Sequence, residues 1–124
     1  MLETKMYERL KKIIKDRTFL QRIENRTGKV PDIYFANKYK NGWIELKNIK
    51  SVSRNGIVKI PFRPGQYAWI KRHLGFNSDI ILICTIGKQW FIKFGHFIKE
   101  EYNISELELF NKLSKSIIEI TLSI

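Results

Sequence analysis

The heptapeptide "GWIELKN", residues 42–48, places a glutamate and a lysine two positions apart inside an otherwise apolar run. Such a run is typical of a largely buried β-strand. Because the side chains of a strand alternate between its two faces, Glu45 and Lys47 point in one direction. Ile44 and Leu46 point in the other direction. The strand therefore carries two charges on one face, and we expect this charged face to contact a specific partner.

The composition predicts a single basic domain. The chain has 124 residues, 44% of them hydrophobic, so we expect one domain with a real core over residues 1–124. It contains 23 Lys and Arg against 12 Asp and Glu, a formal net charge of +11. Such an excess favours polyanionic partners, among which nucleic acid is the first expectation for a soluble protein. Basic composition alone does not specify a chemistry.

The sequence carries no pattern of a membrane span or a disulfide. No stretch approaches the roughly 20 apolar residues that cross a bilayer, and residues 1–15 alternate charged and apolar side chains, unlike a signal peptide. We therefore expect a soluble, cytoplasmic protein with no membrane partner. The lone Cys84 lies in an apolar run, which predicts a packed thiol rather than a reactive one.

Hydrophobic periodicity predicts two helices and five strands before residue 95. The helices are residues 2–15, which are amphipathic, and "GQYAWIKRHLG", residues 65–75, which places Gln66 on its inner face. The strands are expected at residues 18–25, 32–36, 42–48, 79–86 and 89–94. The first three form an antiparallel meander, and Gly87-Lys88 turns the last two into a hairpin. This order predicts an α/β or α+β domain with a mixed central β-sheet flanked by helices.

Two further segments have less regular patterns. Residues 48–61 are basic and irregular, with an Asn55-Gly56 turn, and are expected to form a mobile loop or a short hairpin. Near the end of the chain, Ser105 and Glu108 form a capping-box pattern that predicts a helix through about Lys112. The apolar segment "SIIEITLSI", residues 116–124, is then expected to close the chain as a strand.

Polar residues at the start of one strand, in the next strand and on the following helix predict a metal site. Neighbouring strands lie about 4.8 Å apart, so Asp32 and Glu45 can share a cation. Two carboxylates without a His or Cys cluster favour Mg²⁺ or Mn²⁺ over Zn²⁺. Such an ion polarises a scissile phosphate, beside which Lys47 can position water or offset developing charge. Glu3 lies within the apolar stripe of the first helix and points inward.

These residues resemble a known nuclease family. "VPDIYF", residues 30–35, followed by "GWIELKN" resembles the PD-(D/E)xK signature. "RPGQYAWIKRHLG", residues 63–75, resembles the Gln-bearing helix of the VRR-NUC branch, as do "LETKM" and "RIEN" in their positions. The resemblance extends over residues 2–94 and implies a restriction-endonuclease-like core. Related stand-alone proteins of phages and bacteria are metal-dependent, structure-specific DNA endonucleases, Holliday junction resolvases among them.

The resemblance also implies roles for individual residues. It implies metal ligation by Asp32, Glu45 and the main-chain carbonyl of Leu46, with Lys47 as the catalytic lysine. Gln66 would be an active-site helper and Glu3 a carboxylate reaching in from the first helix, with Glu24 as a possible further acid. DNA contacts are expected from the basic residues around the irregular segment, namely Lys50, Arg54, Lys59 and Arg63.

Structural alternatives exist for each of these residues. Glu45 and Lys47 can form an exposed cross-strand ion pair, Gln66 can bond a main-chain group near the helix start, and Glu3 can belong to a frayed first turn. The remaining aromatic and imidazole side chains are expected to pack in the fold rather than act in a site: Trp43, Trp69, Trp90, His73 and His96.

The residues and the resemblance together predict a Mg²⁺-dependent DNA endonuclease, with Mn²⁺ as a substitute. The resemblance alone implies that it cleaves branched DNA such as Holliday junctions. A two-fold symmetric junction needs two active sites, so a homodimer is expected, through residues 89–94 or 116–124. One alternative is a flap, nicking or restriction-like nuclease, and another is a non-catalytic DNA-binding accessory module of replication or recombination. The abundance of Ile, Lys and Asn favours an AT-rich genome, phage or bacterial.

Overall fold

A five-stranded mixed sheet organises the chain in the computed structural model, which describes residues 2–14, 17–23, 28–76 and 78–123. Within these residues the helices are α1 (Glu3–Ile14), α2 (Gln66–Leu74) and α3 (Lys115–Ser123). The strands are β1 (Phe19–Arg22), β2 (Ile33–Ala36), β3 (Asn41–Ile49), β4 (Ile57–Lys59), β5 (Asp79–Ile86), β6 (Gln89–Phe94) and β7 (Glu101–Asn103). None of the described helices has the length and apolar composition that crossing a membrane requires.

The strand order of the main sheet is β1-β2-β3-β5-β6. β1, β2 and β3 form the predicted antiparallel meander, β3 runs parallel to β5, and β5 and β6 form the predicted hairpin. The parallel pairing begins at Gly42, where a Cβ would overlap the carbonyl oxygen of Asp79. The α+β class with a mixed central sheet is confirmed, and β3, which carries the two charges, is its middle strand.

Helices cover both faces of the sheet and create two cores. On one face α1 and α3 pack against the even-numbered residues of β3, with Ile44 and Leu46 buried among them. On the other face α2 and the smaller β4–β7 sheet cover Ile80, Leu82 and Cys84. Cys84 is fully buried, which confirms the packed thiol, and burial raises the pKa of this thiol. Odd-numbered residues of β3 point into this second core.

The predicted helix from Ser105 to Lys112 is wrong. Residues 104–106 form one 3-10 turn, and the chain then runs extended to Phe110. The main-chain groups of Phe110 and Trp90 exchange two hydrogen bonds, with N···O distances of 2.8 and 3.0 Å. The capping-box pattern stabilises only one local turn, whereas these two main-chain hydrogen bonds hold the segment beside the edge strand β6. Tertiary pairing therefore overrides the local helix signal.

The predicted closing strand over residues 116–124 is also wrong, because this segment is α3. Ile118 and Leu122 lie one helical turn apart and are both buried against the core that α1 covers. The hydroxyl of Thr121 donates a hydrogen bond to the carbonyl of Ile117 at 2.8 Å, a contact between residues four apart that only a helix brings together. The apolar spacing of the segment therefore follows a helical period.

The basic segment after β3 is neither a hairpin nor a structureless loop. The Asn55-Gly56 turn forms as predicted, with Gly56 at φ +78° and its N–H bonded to the Ser53 carbonyl at 3.0 Å. The strand that follows it, β4, pairs with β7 near the other end of the chain rather than with a sequence neighbour. This two-stranded sheet lies over the second core, on the same side as the charges of β3.

Candidate active site

β3 buries a charged pair beneath α2. Glu45 and Lys47 are 0% and 4% exposed, and the Lys47 Nζ lies 3.7 Å from the Glu45 Oε2. The alternative of an exposed ion pair on a solvated face is therefore wrong. A buried ion pair pays a large desolvation cost and stabilises a fold weakly, if at all. Packing alone gives little reason for this pair, so a chemical role is the stronger explanation.

The β2–β3 pairing sets Asp32 beside Glu45. Ile33 pairs with Ile44, so the next position along the two strands places Asp32 across from Glu45 on the face opposite the α1 core. Arg63 joins the two acids, because its Nη2 is 2.8 Å from the Asp32 Oδ1 and 4.0 Å from the Glu45 Oε2. Two carboxylates and two cations therefore meet in one cluster.

Gln66 connects this cluster to the start of α2. It is fully buried, as the periodicity of the helix predicted. Its side-chain amide donates a hydrogen bond to the Glu45 Oε2, and its Oε1 accepts one from the Arg63 N–H at 3.2 Å. The side chain therefore satisfies a main-chain group, as the structural interpretation predicted, and it also contacts the acid. A role of Gln66 in catalysis stays a prediction. Gly65, at φ +80°, makes the turn that places Gln66 there.

The protonation of Glu45 is strongly perturbed. Its pKa is raised from 4.5 to about 8, chiefly because burial removes the carboxylate from water. The charge of Lys47 and, in smaller part, that of Arg63 lower the pKa, whereas the neighbouring Asp32 raises it. The pKa of Arg63 is raised, chiefly by its hydrogen bond to Asp32 and in smaller part by the charges of Glu45 and Glu3. A carboxyl group that is neutral near pH 7 but surrounded by cations is poised to ionise when further positive charge arrives.

The cluster fits a hard divalent cation. The Glu45 Oε1 is buried and has no hydrogen-bond partner in the described part of the chain, although buried carboxylate oxygens are ordinarily paired. No group of three or more His, Cys, Asp or Glu side chains assembles among the described residues. Mg²⁺ is commonly held by one or two carboxylates together with water and phosphate oxygens, so Asp32 and Glu45 suffice as protein ligands. Ligation by the Leu46 carbonyl stays a prediction.

Metal binding near neutral pH is expected to release about one proton per ion. Between pH 4.5 and about 8 the folded protein holds a proton on Glu45 that the unfolded chain has lost, so the metal-free fold loses stability as pH rises through this window. An ion bound to Glu45 displaces the same proton. Calorimetric titration with Mn²⁺ near pH 7, in two buffers of different ionisation enthalpy, measures the release. Identical heats in both buffers would contradict it, and Glu45→Gln is the control that releases none.

The remaining predicted site residues are two acids, Glu3 and Glu24, and the basic residues expected to contact DNA. Glu3 is half-buried, and its charge is among those that raise the pKa of Arg63, so its position is consistent with the predicted approach from α1. Glu24 lies outside the described residues. The predicted DNA contacts Lys50, Arg54 and Lys59 are exposed. A cavity of about 620 Å³ between α1 and α3 contains none of the predicted site residues.

The three tryptophans and His73 pack as expected, whereas the predicted packing of His96 is wrong, because this side chain is exposed. Trp90 is a core residue, 1% exposed, and Trp43 and Trp69 meet edge to face at 5.8 Å against the second core. The ring of His73 stacks on Trp69, and its Nδ1 lies 2.8 Å from the Trp69 carbonyl oxygen. His96 lies in the 3-10 turn that follows β6.

Sequence reasoning assigned Arg63 to the DNA surface and missed its place in the cluster. Its side chain is only 40% exposed and is bound to Asp32. One signal was present, because Arg63 precedes Gln66 by three residues across Pro64 and Gly65, a turn that directs both side chains back toward the sheet. Phe62 was also missed, and its ring centroid lies 5.8 Å from the Lys47 Nζ.

Comparisons with known proteins give a likeness in structure. No family model matches the chain, and no curated protein matches it in sequence. The chain is similar to Hjc of Archaeoglobus fulgidus, a Holliday junction resolvase from an archaeal hyperthermophile. The two chains are 15% identical, the match covers 72% of each, and the TM-score is 0.49. The geometry of the site, rather than this likeness, supports the function proposed below.

Proposed function

We propose that this protein is a metal-dependent endonuclease that hydrolyses phosphodiester bonds in DNA. One observation carries the proposal: a fully buried glutamate with an unpaired oxygen shares its strand face with a buried lysine and adjoins an aspartate of the neighbouring strand. An unpaired buried oxygen such as the Glu45 Oε1 is unfavourable in a purely structural cluster, whereas a bound cation would satisfy it. The basic surface of the chain provides the affinity for the polyanionic substrate.

Each residue of the cluster has a task in hydrolysis. Asp32 and Glu45 would hold a divalent cation, which supplies Lewis-acid polarisation of the phosphate and a water of lowered pKa. Lys47, held by Glu45 on the same face, places an ammonium beside the reacting phosphate, where it orients water and stabilises the negative charge of the transition state. Gln66 fixes the rotamer of Glu45 by its hydrogen bond. Glu45, Lys47 and Gln66 are buried where α2 packs on the sheet, so water is excluded from the inner side of the site.

A shallow groove beside the site supports a path for the DNA backbone. It is lined by residues 48–53, Ile57, Lys59 and Pro61, so it begins directly after Lys47 in the chain. Lys50 and Lys59 are exposed along it, in a position to contact phosphates. Such contacts position the substrate without reading its sequence.

Charge reversal in this groove is expected to weaken DNA binding and flatten its salt dependence. The double variant Lys50→Glu/Lys59→Glu removes two phosphate contacts, and each contact contributes about 0.9 to the slope of log K against log salt. Fluorescence anisotropy over a salt series measures this slope. Lys38→Glu/Lys115→Glu, which changes two lysines of the cavity between α1 and α3, is the matched control. Equal slopes for the groove variant and wild type would remove the groove from the binding surface.

Preference for branched DNA is part of the proposal. A panel of a four-way junction, a flap, a nicked duplex and a linear duplex, each with Mg²⁺ or EDTA, tests it. We expect Mg²⁺-dependent cutting that is fastest on the junction. Faster cutting of a flap, nick or duplex would assign another nuclease specificity. Tight binding without cutting, in Mg²⁺ or Mn²⁺ on every substrate, would instead favour the non-catalytic accessory module.

A homodimer is expected because two symmetric cuts need two sites. The edge position of β6 and the exposure of Phe94 and Phe97, which contact each other at 5.9 Å, favour residues 89–97 as the interface. The C-terminal alternative is weaker, since α3 buries Ile118 and Leu122 within its own chain. Sedimentation that finds only monomer at micromolar concentration, with and without junction DNA, would remove the dimer.

A further inference from the structure

The guanidinium of Arg63 spans the two carboxylates of the site. Its Nη2 is bonded to the Asp32 Oδ1 at 2.8 Å and lies 4.0 Å from the Glu45 Oε2, which is the position of a shared cation. The outer part of the side chain is open to solvent, since 40% of its surface is exposed. The arm passes close to Gly28, where a Cβ would lie 3.1 Å from the Arg63 Cδ. Arg63 therefore binds the carboxylates of the site while part of its own side chain stays accessible to solvent.

The main chain of Arg63 is held independently of its guanidinium. Its N–H donates to the Gln66 Oε1 at 3.2 Å, and its carbonyl accepts the Gln66 N–H at 2.9 Å. Gln66 in turn donates to Glu45. The guanidinium can leave Asp32 without loss of these main-chain bonds, so the turn and the start of α2 can stay in place while the arm moves.

Arg63 and a divalent cation compete for the same carboxylates. With Arg63 in place and Glu45 ionised, as a cation ligand must be, the charges of Asp32 and Glu45 are already matched by those of Lys47 and Arg63. Adding two positive charges beside an unmoved guanidinium is repulsive at these distances. This repulsion is removed if Arg63 leaves the carboxylates and binds a different anion. A guanidinium group binds phosphate oxygens in a planar, bidentate geometry. The groove that the exposed Lys50 and Lys59 line extends to Pro61, two residues before Arg63 in the chain.

We propose that Arg63 is a positioning residue that occupies the carboxylate pair in the DNA-free protein, and that a DNA phosphate draws it away so that the cation binds more tightly to the DNA-bound protein. This inference rests on the proposed function, because it takes Asp32 and Glu45 as cation ligands. The inference adds a coupling between two binding events: DNA and the cation each raise the affinity of the protein for the other by the same factor. The DNA-free protein therefore binds the cation only weakly until its substrate is present.

Calcium affinity tests the coupling without any cleavage assay. Ca²⁺ takes oxygen ligands as Mg²⁺ does, and its Kd is measured by calorimetry for wild type and Arg63→Gln, with and without a saturating four-way junction. We expect Arg63→Gln to bind Ca²⁺ at least about fivefold more tightly than wild type in the absence of DNA, and the junction to tighten binding by about 5- to 100-fold in wild type and by a smaller factor in Arg63→Gln. Arg72→Gln, which changes an exposed arginine in the last turn of α2, is the matched control and should behave as wild type.

The outcomes separate this inference from the proposed function. Equal Ca²⁺ affinities in wild type and Arg63→Gln, or the same tightening by DNA in both, would overturn the competition while leaving the cation site standing. Failure of every variant to bind Ca²⁺ would overturn the cation site together with the competition. Arg63→Lys keeps the positive charge but not the planar fork, so it should fall between wild type and Arg63→Gln. Thermal melts of all variants establish that the fold is retained.

Discussion

Glu45→Gln is expected to lower the single-turnover rate of junction cleavage about 10³-fold, with little change in DNA affinity. Glutamine has the size of glutamate and still offers an oxygen to the Gln66 amide, so the packing beneath α2 is preserved. The change removes the negative charge that we assign to cation binding and that holds Lys47 at 3.7 Å. Rates are measured at saturating protein with Mg²⁺, and affinities by anisotropy in EDTA.

Glu119→Gln provides the control for loss of one acidic charge. Glu119 lies on α3, where it pairs with Arg17 at 3.3 Å and with Lys115 at 4.0 Å, remote from the β3 cluster. It should cleave as wild type does. Near-normal cleavage by Glu45→Gln would remove Glu45 from the chemistry, and an equal loss in Glu119→Gln would point to a general effect of charge on the fold.

Lys47→Met is expected to abolish cleavage and also to destabilise the fold in a pH-dependent way. Removing one partner of a buried ion pair leaves the other uncompensated, at a typical cost of about 3 kcal/mol. In wild type the pKa of Glu45 is about 8, and the charge of Lys47 is the largest influence that lowers it. The cost of losing Lys47 is therefore greatest above pH 8, where wild-type Glu45 is ionised and paired with the lysine, and smallest near pH 6, where Glu45 is protonated in both proteins. Urea denaturation at the two pH values measures the difference in the free energy of unfolding.

The double variant Glu45→Gln/Lys47→Met separates stability from chemistry. With both charges gone the buried site is neutral, so above pH 8 the double variant should be more stable than Lys47→Met alone and at least as stable as wild type. It should remain inactive. A double variant no more stable than Lys47→Met would show that the two side chains are not energetically coupled. Cleavage retained by Lys47→Met would exclude the lysine from catalysis.

The parts of the site that follow local periodicity could be predicted from the sequence. Alternation along residues 42–48 put Glu45 and Lys47 on one face, and the helical period put Gln66 inward, as the structure has them. Both patterns arise because burial acts on every second residue of a strand and on one stripe of a helix. The approach of Asp32 to Glu45 followed from the predicted order of the antiparallel meander.

The remaining features depend on contacts between distant parts of the chain. β4 pairs with β7, and Phe110 pairs with Trp90, through main-chain bonds that no local pattern encodes. Arg63 was assigned to the surface because its sequence neighbours are basic, yet its partner Asp32 lies 31 positions away. The spacing of Ile118 and Leu122 suits a helix that packs on α1, and only that packing distinguishes it from a strand. The missed features are therefore those that tertiary partners decide.

Addition of Mg²⁺ to a preformed complex of the protein with a labelled four-way junction tests the central claim most directly. Asp32→Asn is run beside wild type, since this variant keeps the shape of the side chain that Arg63 contacts but lacks its charge. We predict that wild type cuts the junction only after Mg²⁺ is added, and that Asp32→Asn binds the junction without cutting it. Cutting in EDTA, undiminished cutting by Asp32→Asn, or bound junction that stays intact in Mg²⁺ would contradict the account.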